Sequence, residues 1–249
     1  MQENQQPQNN PKNKSLFLVT SALYTKFGVY KHEERLQQTI DTCKSIRERC
    51  GDKVDILVLD GGEGRPNEED QKLLGPHIDL VYFFGDSDNI KQLHQINSQD
   101  IVKNMIEIIM TGSFLNMMVN ENWSEKYDRV FKLSGRYKLT DDFDYDTHAT
   151  DIGSIIIRGP FTSQFKPEIT GGVTLQYMSR LWSFDSCLIP AISAVYQNMF
   201  NHMNQRLSEG GYIDIEHLLY HHLNRDLVKN ISRIGVEGNI APNGAGVRE

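Results

Sequence analysis

What most constrains this chain is the alternation of short apolar runs with helix-period segments through its first half. Ser15–Leu23 (SLFLVTSAL) is a continuous apolar run of strand length. Between Glu33 and Cys50 the apolar residues Leu36, Ile40, Cys43 and Ile46 recur three and four apart, which is helix spacing. Val54–Asp60 (VDILVLD) predicts a second strand stopped by Gly61-Gly62, and Ile78–Phe84 a third ending at Gly85-Asp86. Ser98 caps a long helix reaching about Val119, with Met105, Ile108, Ile109, Phe114 and Met118 on its inner face. A fourth strand, Arg129–Ser134, leads into Gly135-Arg136-Tyr137. This β-α-β-α-β-α-β order predicts an α/β fold whose sheet is mostly parallel and flanked by helices. Such sheets bind ligands beyond the carboxyl ends of their strands, so residues 21–25, 60–62, 86–88 and 134–137 are the candidate positions.

The second half changes character. Gly153–Arg158 and Thr174–Phe184 read as strands, Ile189 to about Leu207 as an amphipathic helix, and Asp214–Leu223 as a second helix after the Gly210-Gly211 break. Residues 15–240 are therefore expected to form one domain, with halves 15–150 and 151–240. Residues 1–14, rich in Gln, Asn and Pro, and residues 241–249, without periodicity, are expected to be tails.

Charge narrows the partners. The 26 Lys and Arg against 33 Asp and Glu give a net charge of −7, which argues against a nucleic acid, since phosphate backbones need a basic footprint. The deficit is uneven. Residues 60–88 carry eight acids and two bases, whereas Arg129, Lys132, Arg136 and Lys138 reverse the sign around strand four. Three scattered cysteines, Cys43, Cys50 and Cys187, form neither a disulfide framework nor a zinc pattern. No run is long and apolar enough to span a bilayer, so no integral membrane segment is expected, and the cytoplasm is the expected compartment.

Several motifs bear chemistry. Asp60-Gly61-Gly62 puts a carboxylate just past a buried strand, where it could accept hydrogen bonds from a base N–H or ribose hydroxyls; it also reads as an ordinary Asp-Gly turn. Asp-x-Asp pairs occur at Asp86/Asp88, Asp142/Asp144 and Asp144/Asp146, a spacing that can hold Mn2+ or Mg2+ and that is common in acidic loops. In Lys132-Leu-Ser-Gly-Arg-Tyr-Lys138, Arg136 offers a bidentate fork to phosphate and Ser134 a hydroxyl, unless the strand merely has a solvated basic face. Asp214-Ile-Glu216-His217 opens a helix, whose N-terminus stabilises carboxylates as anions; the plain reading is an N-cap and a first-turn charge. His217 and His221 are four apart but lack the Glu of a metalloprotease motif. Walker, dinucleotide-binding and hydrolase-elbow motifs are absent.

Taken in order, Val19–Tyr24, Asp60-Gly-Gly, the long helix, Phe131-Lys-Leu-Ser-Gly-Arg-Tyr137 and Asp214-Ile-Glu-His-Leu-Leu resemble the GT-A family of glycosyltransferases over about residues 16–240. The Lys-Leu-Ser-Gly-Arg-Tyr run and Arg180-Leu-Trp-Ser-Phe184 look like the WavE-type lipopolysaccharide-synthesis transferases and their phage or viral relatives. The resemblance implies a GT-A-like fold that moves a sugar from a nucleotide-sugar donor, bound by 15–150, to a saccharide acceptor, bound by 151–240. It implies that Asp60 meets the nucleotide, with Ser21, Tyr24 and Gly61 beside it. Lys132, Ser134, Gly135 and Arg136 would meet the diphosphate, and Glu216, or second Asp214, would be the general base. The family's metal-binding Asp-x-Asp is replaced at strand four by Ser134-Gly135-Arg136. Either Arg136 and Lys132 substitute for the ion, or Asp142 and Asp144 bind Mn2+ or Mg2+. A noncatalytic nucleotide-sugar-binding module and a nucleotidyltransferase are the alternative readings.

Overall fold

A computed structural model of the chain describes residues 14–240 and 244–249. Its first half runs β1 (Ser15–Ser21), α1 (His32–Cys50), β2 (Val54–Asp60), α2 (Glu68–Leu74), β3 (Leu80–Phe83), α3 (Asp88–His94), α4 (Gln99–Asn120), β4 (Arg129–Ser134), β5 (Tyr137–Leu139) and α5 (Tyr145–Ala149). The second runs β6 (Ile155–Thr162), α6 (Pro167–Thr170), β7 (Leu175–Asp185), α7 (Ile189–Ser208), α8 (Ile215–His222), β8 (Val228–Asn230), β9 (Val236–Asn239) and β10 (Gly246–Arg248).

Strand alternation explains the layering. In β1, Leu16 and Leu18 face a core that includes α4, α7 and α8, whereas Phe17 and Val19 face the core under α1. In β2, Leu57 and Leu59 join the first core, and Val54, Ile56 and Val58 join the second. A strand buried on both faces must be apolar at nearly every position, which is why these runs lack polar alternation. Seven strands form one sheet in the order β3-β2-β1-β4-β7-β6-β8. Four of its six pairings are parallel; β7 runs antiparallel to both β4 and β6. The expected mixed, mostly parallel sheet flanked by helices is therefore observed, and both halves of the chain share it.

Among the expected boundaries that shift, two do so for clear local reasons. β1 ends at Ser21 instead of Leu23, because the Leu23 N–H leaves the ladder to donate to the Asp60 carboxylate at 2.8 Å. Residues 244–249 are not a tail. Gly246–Arg248 pairs antiparallel with β9, and β9 pairs with β5, giving a second, three-stranded sheet. Short strands completed by remote partners carry too few residues to show a period. The tail expected over residues 1–14 lies outside the described residues except for Lys14, whose Nζ donates to Asp55 at 2.7 Å. Among the described residues no helix is long and apolar enough to cross a membrane.

The β2 terminus sets the shape of the sheet's carboxyl edge. A Cβ on Gly62 would lie 2.8 Å from the Tyr24 carbonyl oxygen and 2.9 Å from its amide nitrogen. Backbone cannot withdraw as a side chain can, so Gly62→Ala is expected to destabilise the protein by about 1–3 kcal/mol. Urea unfolding measures this, and an unchanged midpoint would contradict the packing described.

Candidate functional site

A cavity of about 180 Å³ opens at the carboxyl ends of β1, β2 and β4, where a parallel sheet is expected to bind ligands. Ser21, Gly61, Ser134, Gly135 and Arg136 line it, all five being positions expected from the sequence. α1 contributes Arg35, α4 contributes Lys103 and Glu107, β7 contributes Ser179 and Arg180, and α8 contributes Glu216. Four cations thus face two carboxylates, giving this opening in an acidic molecule a local basic excess.

The cations differ in what they already hold. Arg35 is buried, and donates to the Phe27 carbonyl at 2.6 Å and to the Tyr30 carbonyl at 3.2 Å, pinning the loop after β1. Its burial and the neighbouring Arg136 both lower its pKa, so two guanidinium charges press on one another here. The buried Nε of Arg136 has no hydrogen-bond partner among the described residues. A buried donor without an acceptor is costly, and an incoming oxyanion would supply one. Arg180 is held by Glu249 at 2.8 Å and packs over the Tyr137 ring at 5.7 Å.

Lys132 is not a wall residue. It shares strand parity with Val130 and faces α4, only 1% exposed, where its Nζ pairs with Glu107. The same Nζ donates to Ser134 Oγ and to the Ser179 carbonyl, both at 3.0 Å. Lys132 therefore braces the floor beneath the site instead of meeting a diphosphate. Lys138, across the strand end, pairs with Glu237 at 3.5 Å.

Glu216 reaches the cavity from the first turn of α8 and accepts a 2.5 Å hydrogen bond from Ser179 Oγ. The sequence predicts an anion favoured by the helix N-terminus. The structure shows the opposite balance: desolvation, followed by the nearby Asp214 charge, raises its pKa against the pull of Lys103 and Ser179. Asp214 lies outside the cavity lining. It is the α8 N-cap: its Oδ1 accepts from the His217 N–H at 3.0 Å and contacts His217 Nδ1 at 2.6 Å.

Asp60 is fully buried and absent from the cavity lining. Its oxygens accept the Leu23 and Gly62 N–H groups at 2.8 and 3.1 Å, which ties the ends of β1 and β2 together. Burial pushes its pKa up while these donors oppose the rise. Tyr24 also lies outside the lining, stacked on His32 at 4.0 Å with its hydroxyl donating to Asp70 at 2.6 Å. Asp142 pairs with Arg233 at 3.4 Å, and Asp144 caps α5 by accepting from the Asp146 and Thr147 amides. Hydrogen bonds from Thr147 lower the Asp144 pKa, and neither aspartate lines the cavity. Trp123 is core, packed edge-on to Phe114. Arg35, Lys103, Glu107 and Ser179 escape sequence reasoning because each sits inside a helix or strand and belongs to no motif.

No protein-family model matches this chain, and no curated protein matches it. Solved structures do. One is core-mannan synthase A from Aspergillus fumigatus in its Mn/GDP form, at a TM-score of 0.53 and 12% sequence identity, covering 94% of this chain and 77% of that one. At that identity the likeness shows the fold, a GT-A-like one. A divalent ion does not fit this chain's strand-four end, where Ser134-Gly135-Arg136 and the adjacent Arg35 present positive charge in place of carboxylate oxygens.

The floor can be tested apart from any function. Lys132→Met leaves Glu107 without its partner and is expected to cost about 3–5 kcal/mol, whereas Lys132→Met with Glu107→Leu recovers most of the loss. Equilibrium denaturation of both variants decides this, and equal losses in the two would refute the pairing.

Proposed function

We propose that this chain is a glycosyltransferase that moves a sugar from a nucleotide-sugar donor to a saccharide acceptor. The observation that carries the reading is a carboxylate, Glu216, set in the same small cavity as the Arg35–Arg136 pair at the carboxyl edge of a GT-A-like sheet. The fold likeness to a mannan synthase in a Mn/GDP form supports it. The finer resemblance to WavE-type transferases rests on Lys132–Tyr137 and Arg180–Phe184 and belongs to the same proposal. So does a cytoplasmic location, which fits thiols such as Cys43 and Cys50 that burial pushes up to about 12 and keeps unreactive.

In this reading the donor diphosphate lies against Arg136 and Arg35, with Ser134 Oγ and Lys103 beside it. Glu216 takes the proton of the acceptor hydroxyl as its oxygen bonds to the anomeric carbon. The bond from that carbon to the β-phosphate oxygen breaks, and the electron pair leaves with the nucleoside diphosphate. Charge developing on that phosphate meets two guanidinium groups whose mutual repulsion it relieves. Glu216 then returns its proton to solvent. The cations supply the stabilisation that an acidic metal site would otherwise give, so activity is expected to persist in EDTA.

A panel of UDP-, GDP- and CDP-sugars, with saccharide acceptors and with or without EDTA, tests the reading. Release of nucleoside diphosphate is expected with at least one donor. Binding without release would favour a noncatalytic module, and neither binding nor release would defeat the proposal. Arg136→Ala is expected to lower kcat by about 100- to 1000-fold, the usual loss for one oxyanion donor.

Glu216→Gln separates chemistry from folding. A missing general base lowers kcat by about 100-fold or more with little change in donor KM. Because the Glu216 pKa is raised, the wild-type rate falls with decreasing pH from a point above the ordinary carboxylate range. The same shift means folding favours the protonated form. Wild-type stability relative to the Gln variant therefore declines as pH rises above the ordinary Glu value. Thermal unfolding against pH should show the Gln variant at least as stable near neutrality; a full transfer rate in it would remove Glu216 from the mechanism.

A further inference from the structure

Outside the cavity, α7 and α8 bring three imidazoles together. α7 buries Ile192, Tyr196, Met199 and Met203, spaced three and four apart, which leaves His202 at the edge of that face. α8 buries Leu218 and Leu219, and the next turn carries His221 and His222. One ring nitrogen from each of His202, His221 and His222 lies within 4.8 Å of the others. His202 Nδ1 and His222 Nε2 are 3.1 Å apart. The rings stand at 66°, 87° and 80° to one another, so they meet edge to face, and the 3.1 Å contact between His202 and His222 is a hydrogen bond whose proton a metal ion would replace.

We propose that His202, His221 and His222 form a binding site for a late first-row divalent ion, Zn2+ foremost, that braces α8 against α7. A tetrahedral ion with Zn–N bonds of about 2.0–2.1 Å holds its ligand nitrogens about 3.3–3.4 Å apart. The His202–His222 separation already approaches this, and His221, exposed on the last turn, is free to close the remaining gap by rotating. The surrounding surface pocket is completed by Asn198, Asn201 and Gln205, with no carboxylate. Neutral nitrogen donors without hard oxygen anions favour Zn2+, Cu2+ or Ni2+ over Mg2+, Ca2+ or Mn2+. Three protein ligands leave the fourth position of a tetrahedral ion to water.

None of the three histidines lines the strand-end cavity, so the site does not depend on the glycosyltransferase reading. It does share α8 with Glu216. An ion bound only by the folded state stabilises that state, and this one would do so by locking the far end of the helix that carries Glu216.

The test uses the full chain with any polyhistidine tag removed and stripped of metal by EDTA followed by dialysis. Zn2+ titrated calorimetrically should bind at one ion per chain and raise the Tm. Co2+ should give the visible absorption of a four-coordinate ion. His221→Ala, which changes an exposed side chain and should leave the Tm in EDTA unaltered, should weaken Zn2+ binding at least about tenfold and abolish both the Tm rise and the Co2+ spectrum. His202→Ala should do the same, and His77→Ala should leave binding intact. Absence of Zn2+ uptake, or uptake and Tm rise equal in wild type and His221→Ala, overturns the proposal.

Discussion

The buried ion pair between Lys132 and Glu107 organises this molecule. Lys132 lies within β4 at a position whose parity points it into the α4 core. A lone ammonium there would be prohibitive; paired with Glu107 and donating to Ser134 and Ser179, it becomes a joint between β4, α4 and β7. Ser179 continues the chain of contacts to Glu216 on α8. The cavity floor is thus one polar network through which four elements fix each other's height, and the groups above it inherit their positions from it.

Electrostatics around that floor are asymmetric. On one side Arg35 and Arg136 crowd each other at the strand end; on the other, Glu216 sits beside Asp214 and is discouraged from ionising. Each side is unfavourable alone. An anion placed against the guanidinium groups would relieve the first strain. The pattern of perturbed groups pushed in opposite senses within one opening distinguishes it from the ordinary surface pairs elsewhere, such as Arg47 with Asp79.

Much of the fold was legible because strands buried on both faces and long amphipathic helices leave strong periodic signals, and β2, α4 and β4 fall where the pattern puts them. The short β5, β9 and β10 were not legible, since each carries only three or four residues and β5 meets β9 about a hundred positions away. Strand-end logic names Ser21, Gly61, Ser134, Gly135 and Arg136, and helix-start logic names Glu216, and all six line the cavity. Asp60, Lys132, Asp142 and Asp144 lie outside the lining and hold other partners, because a sequence shows that a charge is present but not which neighbour consumes it. The cluster of His202 with His221 and His222 spans twenty positions and two helices, and only the packing of α7 on α8 reveals it.

The reversal of strand direction at β7 has a consequence for how this architecture can diversify. Because β7 runs against β4 and β6 runs against β7, the turn between Thr162 and Leu175 emerges at the same edge as the ends of the parallel strands. Insertions or deletions in residues 163–174, none of which lines the cavity, would reshape the sheet edge beside the opening while leaving the β1–β2–β4 register untouched. That edge of the sheet therefore joins two kinds of chain, strand termini that clamp one another and a connection between antiparallel strands that stands outside the clamp.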